Sequence, residues 1–263
     1  MSATMLAAKL LLVPSLILLL SLAQRRWGAG LAGWLSAFPV YAGPVLLILS
    51  VEQGHDFAAQ AAEGTLYAVV ATLAFCIAYG WTCLRHGVLL SLFAAALTYA
   101  LTVSILQFVY LPLWLAFLVV LGLLTVAPHA LPKRPPPTRS APPGNIDLVL
   151  RMALGATMVL LVTYFADVMG PRTSGLFGMF PLMSTVLVTF SHHHAGPDCA
   201  VALLRGMFYG FYGFASFCVV MTLVLPGHGL LVSFAAGLST VLALQLISKR
   251  LMPKNALGTD ARS

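Results

Sequence analysis

Apolar stretches of about 18 to 25 residues recur from one end of this chain to the other. Wound as a helix at 1.5 Å per residue, a stretch of that length spans the ~30 Å hydrocarbon core of a bilayer. In water, each stretch would need a fold to hide in, and the chain lacks the charge to cover one. Of 263 residues, 60% are hydrophobic and 8% are charged, where a soluble domain carries about 25% charged residues. A soluble enzyme, a nucleic-acid-binding domain and a disordered regulator are thereby excluded. The net charge of +7 points to no nucleic acid, because the basic residues sit in short loops between apolar spans. Cys76, Cys83, Cys199 and Cys218 lie in or beside those spans without a CxxC pair, so they carry no redox signal.

A window of about 19 residues marks nine apolar segments, roughly 4–23, 29–51, 61–84, 87–106, 108–127, 146–167, 174–191, 199–224 and 229–248. The run from Gly87 to Ala127 is twice what one crossing needs, and Gln107 and Pro112 offer a turn between two helices. Charge placement agrees with the split. One side receives Arg25-Arg26, Arg85, the Lys133/Arg134/Arg139/Arg151 group and Lys249-Arg250-Lys254. The other receives Glu52, Asp56, Glu63 and Asp167, with Lys9 and Arg172 as its basic residues. By the positive-inside rule the N-terminus is outside and the C-terminus is cytoplasmic. A multi-pass protein of the inner membrane is expected.

Lys9, an apolar run and Ser21-Leu22-Ala23 together also resemble a signal peptide with a small-x-small cleavage site. Against that stands the counterpart of this segment later in the chain. Residues 128–145 are rich in proline and basic side chains and read as an extended cytoplasmic linker. The tail 249–263 is short and polar.

Sliding the sequence on itself by 142 residues aligns Leu6–Ser104 with Leu148–Leu246 without a gap, and about 20 of the 99 pairs are identical. Glycine, proline and aromatic residues supply many of the identities. Gly28 meets Gly170, Gly33 meets Gly175, and Phe38-Pro39 meets Phe180-Pro181. Gly54, Asp56, Gly64 and Tyr67 meet Gly196, Asp198, Gly206 and Tyr209. Phe75-Cys76 meets Phe217-Cys218, His86-Gly87 meets His228-Gly229, and Ser91 and Thr98 meet Ser233 and Thr240. Each of these residue types fixes a backbone or packing feature, and duplication explains the pattern better than chance. Four spans fall in each copy and a fifth lies between them, so the second copy restarts from the opposite face. The expected architecture is all-α: a first four-helix repeat (1–107), a connecting helix (108–127), the linker, a second, inverted repeat (146–248) and the tail. Inverted repeats build many secondary transporters, with the site near the midplane where the repeats meet.

The stretches GLAGWLSAFPVYAGPVLLIL … AAEGTLYAVVATLAFCIAY and TSGLFGMFPLMSTVLVTF … ALLRGMFYGFYGFASFCVV resemble the GlpM-like small bacterial membrane proteins. Those four-helix chains share a Gly-rich turn, a Phe-Pro at the start of the second helix and a glycine in the third. The resemblance implies a fused pair of such units and no defined substrate. The layout is also similar to the drug/metabolite transporter superfamily, whose larger members are fused duplicates. Its small multidrug members carry a central glutamate in their first helix, whereas the first span here holds only Lys9. That departure speaks against proton-coupled export of cations.

Phe38-Pro39 and Phe180-Pro181 are expected at the start of the second helix of each unit, with Pro44 deeper in the first. A proline inside a span frees a carbonyl that protein or a cavity must satisfy. At a helix start it needs no such partner. Both readings stand for the Phe-Pro pairs, and Pro44 is the better kink candidate. Glu63 and Arg205 occupy the same register of the two repeats with opposite charge. They could gate the two entrances, bind a charged group, or snorkel to the interface. Tyr67 and Tyr209 are candidate lining residues, and equally belt or packing aromatics.

His192-His193-His194, near Asp198 and Cys199, is the one metal-like cluster. Consecutive helical positions point 100° apart and chelate poorly, so a polar turn is the better reading. His86 and His228 read as helix-end residues. Gly206, Gly210 and Gly213 form a small-residue face for close helix approach. No nucleophile–base pair or set of histidine boxes favours a membrane enzyme, and no cofactor is implied. The expectation is a transporter or permease for a small neutral, amphipathic or lipid-like molecule. A non-transporting assembly protein is the first alternative and an embedded enzyme the second. The expected partners are the bilayer and a small-molecule substrate, and self-association into a homo-oligomer is left open.

Overall fold

The structure is a computed structural model, which describes residues 3–39, 42–134, 148–154, 156–157 and 181–251. Among the described residues every regular element is helical. They are α1 (Ala3–Trp27), α2 (Ala29–Ser36), α3 (Ala42–Gln53), α4 (His55–Thr82), α5 (Val88–Leu106), α6 (Leu113–Ala130) and α7 (Leu182–Leu251). The last is 70 residues long, and as a straight rod it would measure about 105 Å, over three bilayer cores. It is not straight. Gly196 and Gly229 carry non-helical backbone angles, φ 81 and φ 72, and divide it into legs of 182–195, 197–228 and 230–251. Four of the helices are long and apolar enough to cross a membrane, namely α4, α5, α6 and the 65-residue apolar part of α7.

Glycine sets the boundaries. Gly28, Gly54, Gly196 and Gly229 all combine φ between 72 and 94 with ψ between 166 and 179. A Cβ is strongly disfavoured in that region, which is essentially reserved for glycine. Each of these residues reverses or redirects the chain between two helices. At Gly196 the following Pro197 starts the next leg where its missing N–H costs nothing.

α4 is the central helix, 72% buried along its most apolar window, against 22% for α5 and for α6. It touches α3, α5, α6 and α7. The hydroxyl of Thr222 donates to the carbonyl of Ala59 at one end of the α4–α7 contact, while Leu204 packs beside Gly80 at the other. The numbers fall in one helix as they rise in the other, so α4 and the middle leg of α7 run antiparallel. α2 crosses the same leg closely. A Cβ on Gly206 would strike the Gly30 carbonyl, and one on Gly33 the Leu203 carbonyl. The expected small-residue face is therefore a real helix contact, in which the missing side chains let the backbones meet. Large apolar side chains face outward on α5, α6 and the last leg, among them Leu89, Phe93, Trp114 and Leu231, the last at 88% exposure. Water would not tolerate such a surface, and hydrocarbon would.

Cross-contacts sort the residues into two ends. At one end the Trp81 indole donates to Ala130 O, Arg205 Nη2 donates to Pro132 O at 2.9 Å, and Arg134 pairs with Asp198 at 3.6 Å. The same end holds a network in which Arg151 Nη1 donates to Gln24 Oε1 and Gln24 Nε2 donates to Ser191 Oγ. At the other end Ser50 bonds His55, and Tyr67 both accepts from the amide of Leu111 and donates to its carbonyl. The basic residues assigned to one side by sequence thus meet at one end of the helices wherever contacts are described.

Several expectations need correction. The second segment, 29–51, is not one helix but two, α2 and α3, separated at residues 37–41. Pro39 therefore lies within a break rather than at an interfacial helix start. Pro44 stands in the first turn of α3, where a proline removes no bond, so it is not the kink. α4 begins at His55, six residues before the expected start, which leaves Glu63 more than two turns inside the helix. Arg151, counted among loop charges, is 2% exposed, lies across the Phe190 ring and is held by Ser21 and Gln24. The linker is shorter than expected at its start, since residues 128–130 complete α6 and Leu131 and Pro132 are buried. Phe180, Gly170 and Gly175 lie outside the described residues.

Candidate functional site

The break between α2 and α3 opens onto a cavity of about 560 Å³. Such a volume is within the ~300–1,000 Å³ range of sites that hold one small molecule. Its walls are the second half of α1 from Leu19 to Trp27, residues Leu35–Phe38 and Ala42 around the break, and Thr65–Thr72 of α4. The opposite walls come from Pro181, Leu182 and Ser184 at the start of α7 and from Phe211 and Phe214 in its middle leg. The lining is overwhelmingly aliphatic and aromatic.

Local chemistry explains why the chain breaks there. Pro39 offers no N–H, and the residue before a proline is pushed out of the α region. Helix resumes only when the amide of Gly43 donates to Pro39 O at 2.7 Å. Pro181 does the same for α7, with the amide of Thr185 donating to Pro181 O at 2.7 Å. Gly43 and Thr185, like Pro39 and Pro181, are 142 residues apart.

The polar groups on the wall are few. Ser36 donates to Gly33 O at 2.7 Å, Thr65 to Ala61 O at 2.8 Å, and Thr72 to Ala68 O at 2.9 Å. Each hydroxyl has spent its one proton on its own helix and presents only lone pairs to the cavity. Arg26 is the one charged lining residue among those described, and its guanidinium carbon lies 5.7 Å from the Trp27 ring centre. Leu19, Leu22 and Trp27 are at once lining residues and exposed, so the cavity reaches the outer surface along this edge of α1.

The cavity gathers some of the residues expected from sequence and leaves others aside. Phe38 and Pro181 line it, and Pro39 is buried in the break next to Phe38. Glu63, half-buried on α4, does not line it, and neither does Arg205, which is bonded to Pro132. Tyr67 clamps the turn before α6 to α4 through Leu111, a packing role. Tyr209 is half-buried and is not a lining residue. His192 bonds the Tyr79 hydroxyl through Nδ1 at 3.1 Å, while His193 and His194 are exposed. Among the described residues no three His, Cys, Asp or Glu side chains are arranged to hold a metal ion.

Sequence reasoning missed the α1 wall and Arg26, which read there as a loop charge. An arginine next to a tryptophan at the end of an apolar helix was the available signal. No family model, curated protein or solved structure matches the chain.

Proposed function

We propose that this chain is an inner-membrane transporter or permease that moves a small amphipathic or lipid-like molecule by alternating access between two inverted four-helix units. α6 is the crossing that inverts the second unit, with the N-terminus outside and the basic end of the helices in the cytoplasm. One observation carries the reading. Three pairs of cavity-lining residues are repeat equivalents: Ala42 with Ser184, Val69 with Phe211, and Thr72 with Phe214, each 142 residues apart. A cavity lined from both copies at matching positions lies where the two units meet, the place a rocking transporter keeps its substrate.

Further matches support duplication. Phe75 and Phe217, Cys76 and Cys218, and Ser91 and Ser233 are fully buried. The Ser91 hydroxyl donates to Gly87 O and that of Ser233 to Gly229 O. Thr98 bonds Ala94 O at 2.8 Å, and Thr240 bonds Ala236 O at 2.9 Å. A fused pair of GlpM-like units fits these matches. No step of this mechanism needs a catalytic residue or a cofactor.

The test is leaflet-to-leaflet movement of a fluorescent single-chain amphiphile in liposomes holding the purified chain. The protein should speed movement over protein-free liposomes, and Val69→Trp or Ser184→Leu, which fill the cavity from facing walls, should abolish the gain. Movement no faster than in empty liposomes, with the protein correctly folded, would make the chain a packing or assembly protein.

A further inference from the structure

We infer that the cavity selects an amphiphile with one hydrocarbon chain and an anionic head, chain inward among the apolar walls and head on Arg26. The inference rests on the cavity's being the substrate site and narrows what that site accepts.

Hydrogen-bond accounting gives the first part. Ser36, Thr65 and Thr72 have each donated their proton to a carbonyl of their own helix. An anion placed deep in the cavity would find almost no donor there and would keep its desolvation cost, which for a buried unpaired charge is prohibitive. A polyol would fare little better, since its acceptors would face acceptors. Hydrocarbon suffers neither penalty. The deep end therefore suits an apolar chain.

The rim gives the second part. Arg26 lies in the last turn of α1, at the helix end that carries partial negative charge, and stands beside the exposed indole of Trp27. A guanidinium offers five donors in a planar fork that matches a carboxylate or phosphate in two parallel bonds. An indole beside it is the residue that settles at the membrane–water boundary. The two together make a headgroup position at the depth where a lipid's head resides.

Size gives the third part. A methylene group takes about the room of a water molecule, ~30 Å³. A cavity of about 560 Å³ therefore holds on the order of twenty such groups, which is one chain and not two. The exposed lining residues Leu19 and Leu22 lead from this space to the outer face of α1, so a chain can slide in sideways from the bilayer while its head stays at the boundary.

The experiment uses the purified full chain in liposomes and a sixteen-carbon fatty acid carrying a mid-chain diazirine, beside the alcohol of the same chain. On illumination the acid should label peptides of α1 and α4 that line the cavity. Arg26→Gln should lower that labelling about tenfold, Arg26→Lys should retain most of it, and the weaker labelling by the alcohol should not change. A single-chain alkyl phosphate should compete with the acid, and a diacyl phosphatidylglycerol should not. Equal labelling by acid and alcohol, insensitive to Arg26→Gln but removed by Val69→Trp or Ser184→Leu, would overturn the headgroup assignment and leave the cavity as the site. Equal competition by the diacyl lipid would overturn the single-chain assignment. Labelling that neither filling variant reduces, with both variants folded, would overturn the cavity itself as the site.

Discussion

Gly54 and Gly196 lie 142 residues apart and hold the same uncommon backbone conformation, φ 94 and ψ 166 against φ 81 and ψ 175. Each ends one apolar helix and starts the next. Their counterparts one helix later differ: Gly229 has φ 72, whereas Gly87 has φ −69, which any residue adopts. Substitution by alanine should therefore separate them. Gly54→Ala, Gly196→Ala and Gly229→Ala should each cost about 1–3 kcal/mol, and Gly87→Ala, with open space around it, should cost almost nothing. Thermal unfolding of the detergent-purified variants measures this, and a penalty at Gly87 equal to the others would refute the backbone assignment.

Helix contact makes a second prediction. A side chain on Gly206 would meet the Gly30 carbonyl, while Gly122 on α6 faces open space. Gly206→Val should lose at least about 1–3 kcal/mol through overpacking and lower the amount of folded protein. Gly122→Ala should be neutral or gain up to about 1 kcal/mol from helix propensity. Size-exclusion profiles after graded heating would compare the two.

Topology is the third. Gln53 ends α3 at the end of the helices opposite to that where Arg134 meets Asp198. A reporter fused after Pro136 should read cytoplasmic and one fused after Gln53 external. The same location for both would remove the nine-span arrangement and the inversion with it.

Glu63 and Arg205 give the fourth. Arg205 ties the segment after α6 to the middle leg of α7 through Pro132 O, and Glu63 lies on α4 toward the other end. Neutralising Arg205 should loosen residues 131–134 by the worth of one charged hydrogen bond, about 1.5–3 kcal/mol, or tenfold and more in the open population. An engineered Lys133→Cys should accordingly react faster with a water-soluble maleimide in Arg205→Gln. In Glu63→Gln the change, if the two residues guard opposite entrances, should have the opposite sign. Unchanged reactivity in both, with normal movement of substrate, would leave them as interfacial charges.

Long uninterrupted apolar runs, spaced by short basic or acidic turns, made the helical membrane class legible before any coordinates. A backbone without water must close its own hydrogen bonds, and a helix is the local way to do so. Helix ends were legible too, wherever glycine stood between two runs, because the conformations at Gly54, Gly196 and Gly229 depend on one residue's lack of a Cβ. The repeat could be read because identities such as Phe38-Pro39 and Gly64 survive as letters.

Other features depended on distant partners. Hydropathy treats 29–51 as one segment, since the break at 37–41 is lined by residues as apolar as the helices beside it. Only the wall supplied by α1, α4 and α7 makes that break tolerable and leaves a cavity there. Arg151 and Arg26 are equally basic letters in the chain. Packing against Phe190 and Gln24 buries the first, whereas the second remains at the rim beside Trp27. Charge and hydropathy belong to a residue by itself, but burial and the shape of an enclosed space belong to neighbours more than a hundred positions away. For that reason the sequence by itself determined the class and the helices, and the tertiary structure alone decided the cavity and which charge faces it.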